Sequence, residues 1–157
     1  MIFPIVLHRR LDGAKARNWP GLVLLDPDAR LPAAVLAQQA WEAMQKANPV
    51  NLLRTRLSAT GRREMEVMGH ECGVQAACLI HDRDPAEYRV AEADRVKGGY
   101  DGLFAAVTRA QLRAAMEARS DEARRWVRQH RDRLEEWSRR GRDGVRRVSG
   151  NRPGEGS

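Results

Sequence analysis

Four consecutive aliphatic residues, Leu22-Val23-Leu24-Leu25, run into Asp26-Pro27-Asp28 and then into an alanine-rich stretch from Leu31 to Lys46. The aliphatic run reads as a short strand, and Asp-Pro-Asp breaks it. Pro32 suits the first turn of a helix, where its missing N–H costs nothing, so a helix is predicted over 32–47. Asn48-Pro49 ends it, because the residue before proline is pushed out of the α region. A strand feeding a long helix within a few residues sets the frame for the rest of the chain.

The remaining punctuation extends that frame. Residues 2–8 read as a second strand, with Asp12–Gly21 between the two as a long turn. A helix is predicted over 60–80, and its Gly69 and Gly73 each cost about 1 kcal/mol against alanine, which points to close helix packing there. Trp41 is expected in the core where the two helices cross, near Met65, Met68 and Gly69. Asp84-Pro85 with Glu87 is a strong helix start, and Gly98-Gly99 a stop. Tyr100 to Phe104 reads as a turn carrying two aromatics folded back onto the core. Thr108 with Gln111 starts another helix, and Ser120-Asp121-Glu122 caps a last one over about 121–139. The expected architecture is α+β and mostly α: a small N-terminal sheet, four or five helices, and a basic C-terminal helix and tail.

Composition limits the size of the core. Of 157 residues 42% are hydrophobic, but alanine inflates that figure and only 5% are aromatic. One globular domain is predicted over 1–140, followed by a basic flexible tail over 141–157 with little to bury. The net charge of +7 comes almost wholly from arginine, since lysine occurs only at Lys15, Lys46 and Lys97. Cys72 and Cys78, six apart on one predicted helix, lie on different faces and are not expected to pair. That usage fits a cytoplasmic protein, or one incorporated into a virion assembled in the cytoplasm. The first residues lack the basic leader and cleavage-like site of a signal peptide, and nothing approaches the ~20 apolar residues of a membrane span, so no membrane partner is expected.

The chemistry-bearing residues concentrate on the first two helices. Gln38, Glu42 and Gln45 fall at i, i+4 and i+7, a single polar stripe that either faces water or faces another helix. On the second helix Glu66 and His70 are at i and i+4, a local polar pair that could face Glu42 or Gln38. His70 and Cys78 are roughly 12 Å apart along the axis, too far to share a coordination sphere. No glycine-rich phosphate loop and no nucleophile elbow is present.

The order strand, turn, helix with Gln38-Gln39-Ala40-Trp41-Glu42, then a second helix rich in Glu and His, resembles the core of the zincin metallopeptidases over residues 21–82. In that family the first helix carries His-Glu-x-x-His. The resemblance puts Gln38 and Glu42 at the two ligand positions and Gln39 at the general base. The departures imply a degenerate, inactive site: glutamine carbonyls bind zinc poorly, and Gln39 cannot accept a proton near neutral pH. No cofactor is therefore expected, with Glu42, Glu66 and His70 as the candidates for any residual zinc site.

The last helix and tail carry the clearest charge feature. Trp126, Leu134 and Trp137 form an apolar stripe, with Arg128, Arg131, Arg139, Arg140, Arg142, Arg146 and Arg147 around and after it. Tryptophan and arginine are enriched at interface hot spots, so this element is expected to bind a protein partner. Binding of nucleic acid is the alternative, diluted by Asp132, Glu135, Glu136 and Asp143. The functional expectation is a non-catalytic structural or adaptor component of a larger assembly, similar in general character to small bacteriophage virion or tail accessory proteins. A zinc-dependent hydrolase and a nucleic-acid-binding accessory protein are the alternatives.

Overall fold

The computed structural model describes the backbone of residues 2–149 and the side chains of residues 2–141. Three strands, β1 (Ile5–His8), β2 (Ala16–Trp19) and β3 (Leu22–Leu25), precede six helices. These are α1 (Pro32–Ala47), α2 (Pro49–Leu57), α3 (Ala59–His81), α4 (Pro85–Gly98), α5 (Arg109–Glu117) and α6 (Ser120–Ser149), with one 3-10 turn at Tyr100–Gly102. The class is α+β, mostly α. None of the described helices is long and apolar enough to cross a membrane.

The sheet order is β1-β3-β2, with β1 parallel and β2 antiparallel to β3. Val6, Val23 and Leu25 point inward and are buried. They pack on Leu36, Ala40, Ala43 and Met44 of α1, on Met68, Cys72 and Ala76 of α3, and on Ala123, Trp126, Val127 and Leu134 of α6. A second cluster lies on the other side of α3, joining Val67 and Val74 to Ala93 and Val96 of α4, Phe104, and Leu112 and Met116 of α5. Lying between two clusters, α3 is buried along most of its length.

Local signals account for most boundaries. Asp84 accepts the Glu87 amide, and Thr108 with Gln111 forms a reciprocal capping box. Two elements went unpredicted. Asn48-Pro49 stops α1 but also starts α2: Asn48 is extended and its side chain accepts the Val50 amide, so one pair of residues ends one helix and caps the next. No residue of α2 is buried, so its apolar residues mark no inward stripe. The expected long turn contains β2, whose residues Ala-Arg-Asn-Trp lack apolar alternation and are held by pairing to β3. Beyond β2, the Pro20-Gly21 corner places Gly21 at φ 70°, and its amide donates to the Ala43 carbonyl of α1.

The C-terminal helix also departs from expectation, running on through the predicted end near 139 to Ser149. The tail boundary at 141 therefore falls inside a helix, and residues 150–157 lie outside the described residues. At Gly141 the helix passes β1 so closely that an added Cβ would stand 2.6 Å from the His8 ring. Both cysteines are free thiols.

A buried polar network between the first and third helices

The stripe on α1 does not face water. Gln38 and Glu42 are buried against α3, while Gln39 and Gln45 at its margins are half-buried. Gly69 and Gly73 permit this approach. A Cβ at 69 would lie 3.0 Å from a carboxylate oxygen of Glu42, and one at 73 would lie 3.1 Å from the Ala34 carbonyl. It is therefore Glu42, not Trp41, that seats on Gly69. Trp41 is half-buried at the edge of the core, edge-on to Trp126 with ring centroids 5.7 Å apart.

From α3, Glu66 and His70 answer the stripe. His70 Nε2 lies 3.1 Å from the Gln38 side-chain nitrogen and 2.5 Å from the Tyr100 hydroxyl. Its Nδ1 lies 2.5 Å from Glu92, which also pairs with Arg95 on the same helix. With the ring proton on Nδ1 donated to Glu92, Nε2 is left to accept from Tyr100 and Gln38. Tyr100 reaches this position from a turn in which residues 100, 101 and 102 all hold positive φ, at 60°, 48° and 81°. Two of those three are not glycine, and backbone strain of this kind persists only where surrounding contacts enforce it.

Glu42 is surrounded by donors. Gln38 donates to one oxygen at 3.3 Å, Asn18 of β2 to the other at 2.8 Å, and Lys46 stands 3.8 Å away. Asn18 also donates to Gln39 at 2.6 Å and accepts from Lys46 at 2.6 Å. Glu66 differs, because among the described residues its Oε2 is buried without a hydrogen-bond partner. Burial, then the charge of Glu42, pushes its carboxyl up to about 8, so Glu66 holds its proton at neutral pH. Burial and the same two acids also raise the Tyr100 hydroxyl. Burial alone would raise Glu92 as well, but the hydrogen bond and charge of His70, with Arg95, outweigh it and hold that carboxyl below its ordinary range.

Two clefts flank the network. One, of about 440 Å³, is bordered by Lys15, Gln38, His70, Arg95 and Tyr100. The other, of about 620 Å³, is bordered by Asn18, Lys46, Arg56, Arg62 and Glu66. Among the described residues, no three His, Cys, Asp or Glu side chains stand together as a metal-binding group. The candidates Glu42, Glu66 and His70 thus share one region and common partners: Gln38 contacts both Glu42 and His70, and Tyr100 both His70 and Glu66. Their chemistry is that of a neutral acid, a locked imidazole and a saturated carboxylate.

A second polar cluster clamps α3 to its neighbours. Arg89 of α4 makes a two-pronged pair with the fully buried Glu71, at 2.9 and 2.7 Å. Gln75 donates to Glu71 and accepts from Arg124 of α6. The sequence reading missed this cluster, and it missed Asn18, Glu92, Arg95 and Tyr100 in the first. An aromatic residue set among Gly98, Gly99 and Gly102 was the one local sign of Tyr100.

The C-terminal stripe requires a correction. Trp126 and Leu134 are buried in this chain's own core, and Trp137 is half-buried beside His8 with Arg140 over its ring at 4.4 Å. Trp126 and Leu134 are therefore committed to this chain's own core, while Trp137 keeps part of its surface exposed. Arg128, Arg131, Arg139 and Arg140 are exposed, with Arg131 bonded to Glu135 and Arg140 to Glu136. The side chains of Arg142, Arg146 and Arg147 lie outside the described residues.

No protein-family model matches the chain, nor does any curated protein or solved structure.

Proposed function

We propose that this protein is a non-catalytic structural or adaptor component of a larger protein assembly. Its scaffold reads as zincin-like with the reactive centre replaced, and its character as that of a bacteriophage virion or tail accessory protein. It acts in the cytoplasm or in a particle assembled there. The observation that carries the reading is the saturation of Glu42 by Gln38, Asn18 and Lys46. Where a reactive centre needs an open carboxylate, this one is closed by two amides with a lysine ammonium beside it, which already supplies the positive charge. Glutamine at 38 and 39 offers neither a strong metal ligand nor a base. The pairing of Arg131 and Arg140 with acids on their own helix favours a protein partner over nucleic acid.

The test is elemental analysis of the purified full chain together with a protease assay with and without chelator. No stoichiometric zinc and no cleavage are expected. Chelator-sensitive proteolysis by the unmodified chain would overturn the reading.

A further inference from the structure

The cleft bordered by Lys15, Gln38, His70, Arg95 and Tyr100 continues into a narrower one of about 270 Å³ between α1 and α4, with Lys15, Val35, Gln38 and Arg95 common to both. Four cations border the narrow part: Lys15 before β2, Arg30 before α1, Arg83 in the turn from α3 to α4, and Arg95 late in α4. A charged face along one helix is ordinary solvated surface, but these four come from separate segments of the chain to one concavity. Burial, then Glu92, raises the hydroxyl of Tyr88 in the same wall, while Arg95, Arg83 and Arg30 all pull it back. Three guanidiniums therefore stand close enough to act on one ring.

Their charges are not balanced. Arg95 is matched by Glu92. Among the described residues Lys15, Arg30 and Arg83 have no ion-pair partner, and Glu87 is the one other carboxylate at the wall. Three cations against one carboxylate leave a surplus of two positive charges. The N-terminus of α1 adds to it, with no acid in its first turn and no capping side chain at Leu31. Like charges gathered this way repel one another unless an anion joins them. Backbone strain gathers here too. Among the described residues the four non-glycines of positive φ, Leu31, Asp82, Tyr100 and Asp101, each line the trough or adjoin a residue that does.

Gln38 supplies a second kind of contact. It is only 7% exposed, and its Nε2 is taken by Glu42 and His70. Among the described residues its Oε1 accepts no hydrogen bond, and it is not sealed in, which leaves a carbonyl for the trough that Gln38 borders. An acceptor left over at a cavity wall suits a ligand hydroxyl.

We propose that this trough binds a small phosphate monoester carrying hydroxyl groups, a sugar phosphate either free or within a nucleotide. The phosphate meets Arg30, Arg83 and Lys15, and a hydroxyl donates to Gln38 Oε1. A phosphate monoester carries about −1.5 to −2 at neutral pH, which matches the surplus, whereas a carboxylate offsets about half of it. Guanidinium forks also fit phosphate oxygens in pairs. The inference goes beyond the adaptor reading and does not rest on it, since the ligand is held and not turned over.

The experiment is calorimetric titration of the full chain at low salt with ribose 5-phosphate, adenosine 5′-monophosphate, methyl phosphate and ribose. Ribose 5-phosphate or the nucleotide should bind once per chain, and the tighter of the two tells a free sugar phosphate from a nucleotide. Methyl phosphate, which has no hydroxyl, should bind at least about tenfold more weakly, and ribose not at all. Arg30→Gln and Arg83→Gln should each weaken binding at least about tenfold. Arg56→Gln/Arg62→Gln, in the other basic cleft, should leave it unchanged. Arg30 is exposed, so its variant should melt as wild type does, which keeps the test sound if Arg83→Gln folds poorly. The proposal is overturned if neither ester binds, if methyl phosphate or ribose binds as tightly, or if Arg30→Gln leaves the affinity unchanged. Equal weakening by Arg56→Gln/Arg62→Gln would overturn it as well. So would an oligothymidylate that binds through Arg30 while the small esters do not, in favour of nucleic acid.

Discussion

His70 and Glu92, on α3 and α4, meet with Nδ1 and a carboxylate oxygen 2.5 Å apart, both side chains almost wholly buried. The contact orients the imidazole toward Gln38 and Tyr100, so one pair ties together α1, α3, α4 and the strained turn after α4. Truncation would strand a buried ring nitrogen. Glu92→Ala should lower unfolding free energy by about 3 kcal/mol in urea melts, from a lost charged hydrogen bond and an unsatisfied donor. A loss below about 1 kcal/mol would show that water or Arg95 rearrangement takes over the role.

Glu66 makes stability depend on pH in an unusual direction. Its carboxyl is raised from 4.5 to about 8 in the folded protein, so between those values the native state holds a proton that the unfolded chain releases. Its contribution is fully present below 4.5 and is lost as pH rises through 8, at up to about 1.4 kcal/mol per pH unit. Glu92, held low, loses its contribution only in acid below that window. His8 and His130, lowered chiefly by burial, disfavour the fold only below their ordinary 6.5. Melts from pH 6.5 to 8 should therefore show falling stability, and Glu66→Gln should flatten the slope. An equal slope in the variant would place the titration elsewhere.

The Glu71–Arg89 pair should show the asymmetry of buried ions. Arg89→Ala leaves Glu71, fully buried, without its two-pronged partner and should cost about 3–5 kcal/mol. Replacing both, as in Glu71→Leu/Arg89→Met, should recover most of that loss. Chemical denaturation of both variants checks this, and a double variant as unstable as the single one would contradict it.

Two glycines on neighbouring helices should respond oppositely to alanine. At Gly73 the new methyl would meet the Ala34 backbone carbonyl at 3.1 Å, whereas at Gly98 it meets nothing within 4 Å. The intrinsic gain is about 1 kcal/mol at a helix interior and less near an end. Gly98→Ala should leave the melting temperature equal or higher. Gly73→Ala should lower it, because α1 must shift away from α3.

How far the chain could be read in advance follows from where each signal acts. Pro32, Asp84-Pro85 and Thr108 with Gln111 act on their own first turn, so those helix starts were legible residue by residue, whereas Ser120, expected as a cap, is the first residue inside α6. Gly69 and Gly73 announced a close approach, since only a packing need explains two such residues in one helix. The identity of what approached was not written locally. Gln38 and Glu42 make one stripe whether it faces solvent or α3, and Trp126 makes the same periodic pattern on a docking helix as in a core. β2 carries no alternation because it exists through its ladder to β3, and Asn18 enters the network only from that ladder. Tyr100 reaches His70 across 30 positions of chain, through a turn whose strain is set by contacts on both sides. Caps, proline and glycine act through backbone geometry within a few residues, so sequence alone determines them. The direction a polar or aromatic face turns is a choice between solvent and another element, and only the packed fold makes that choice.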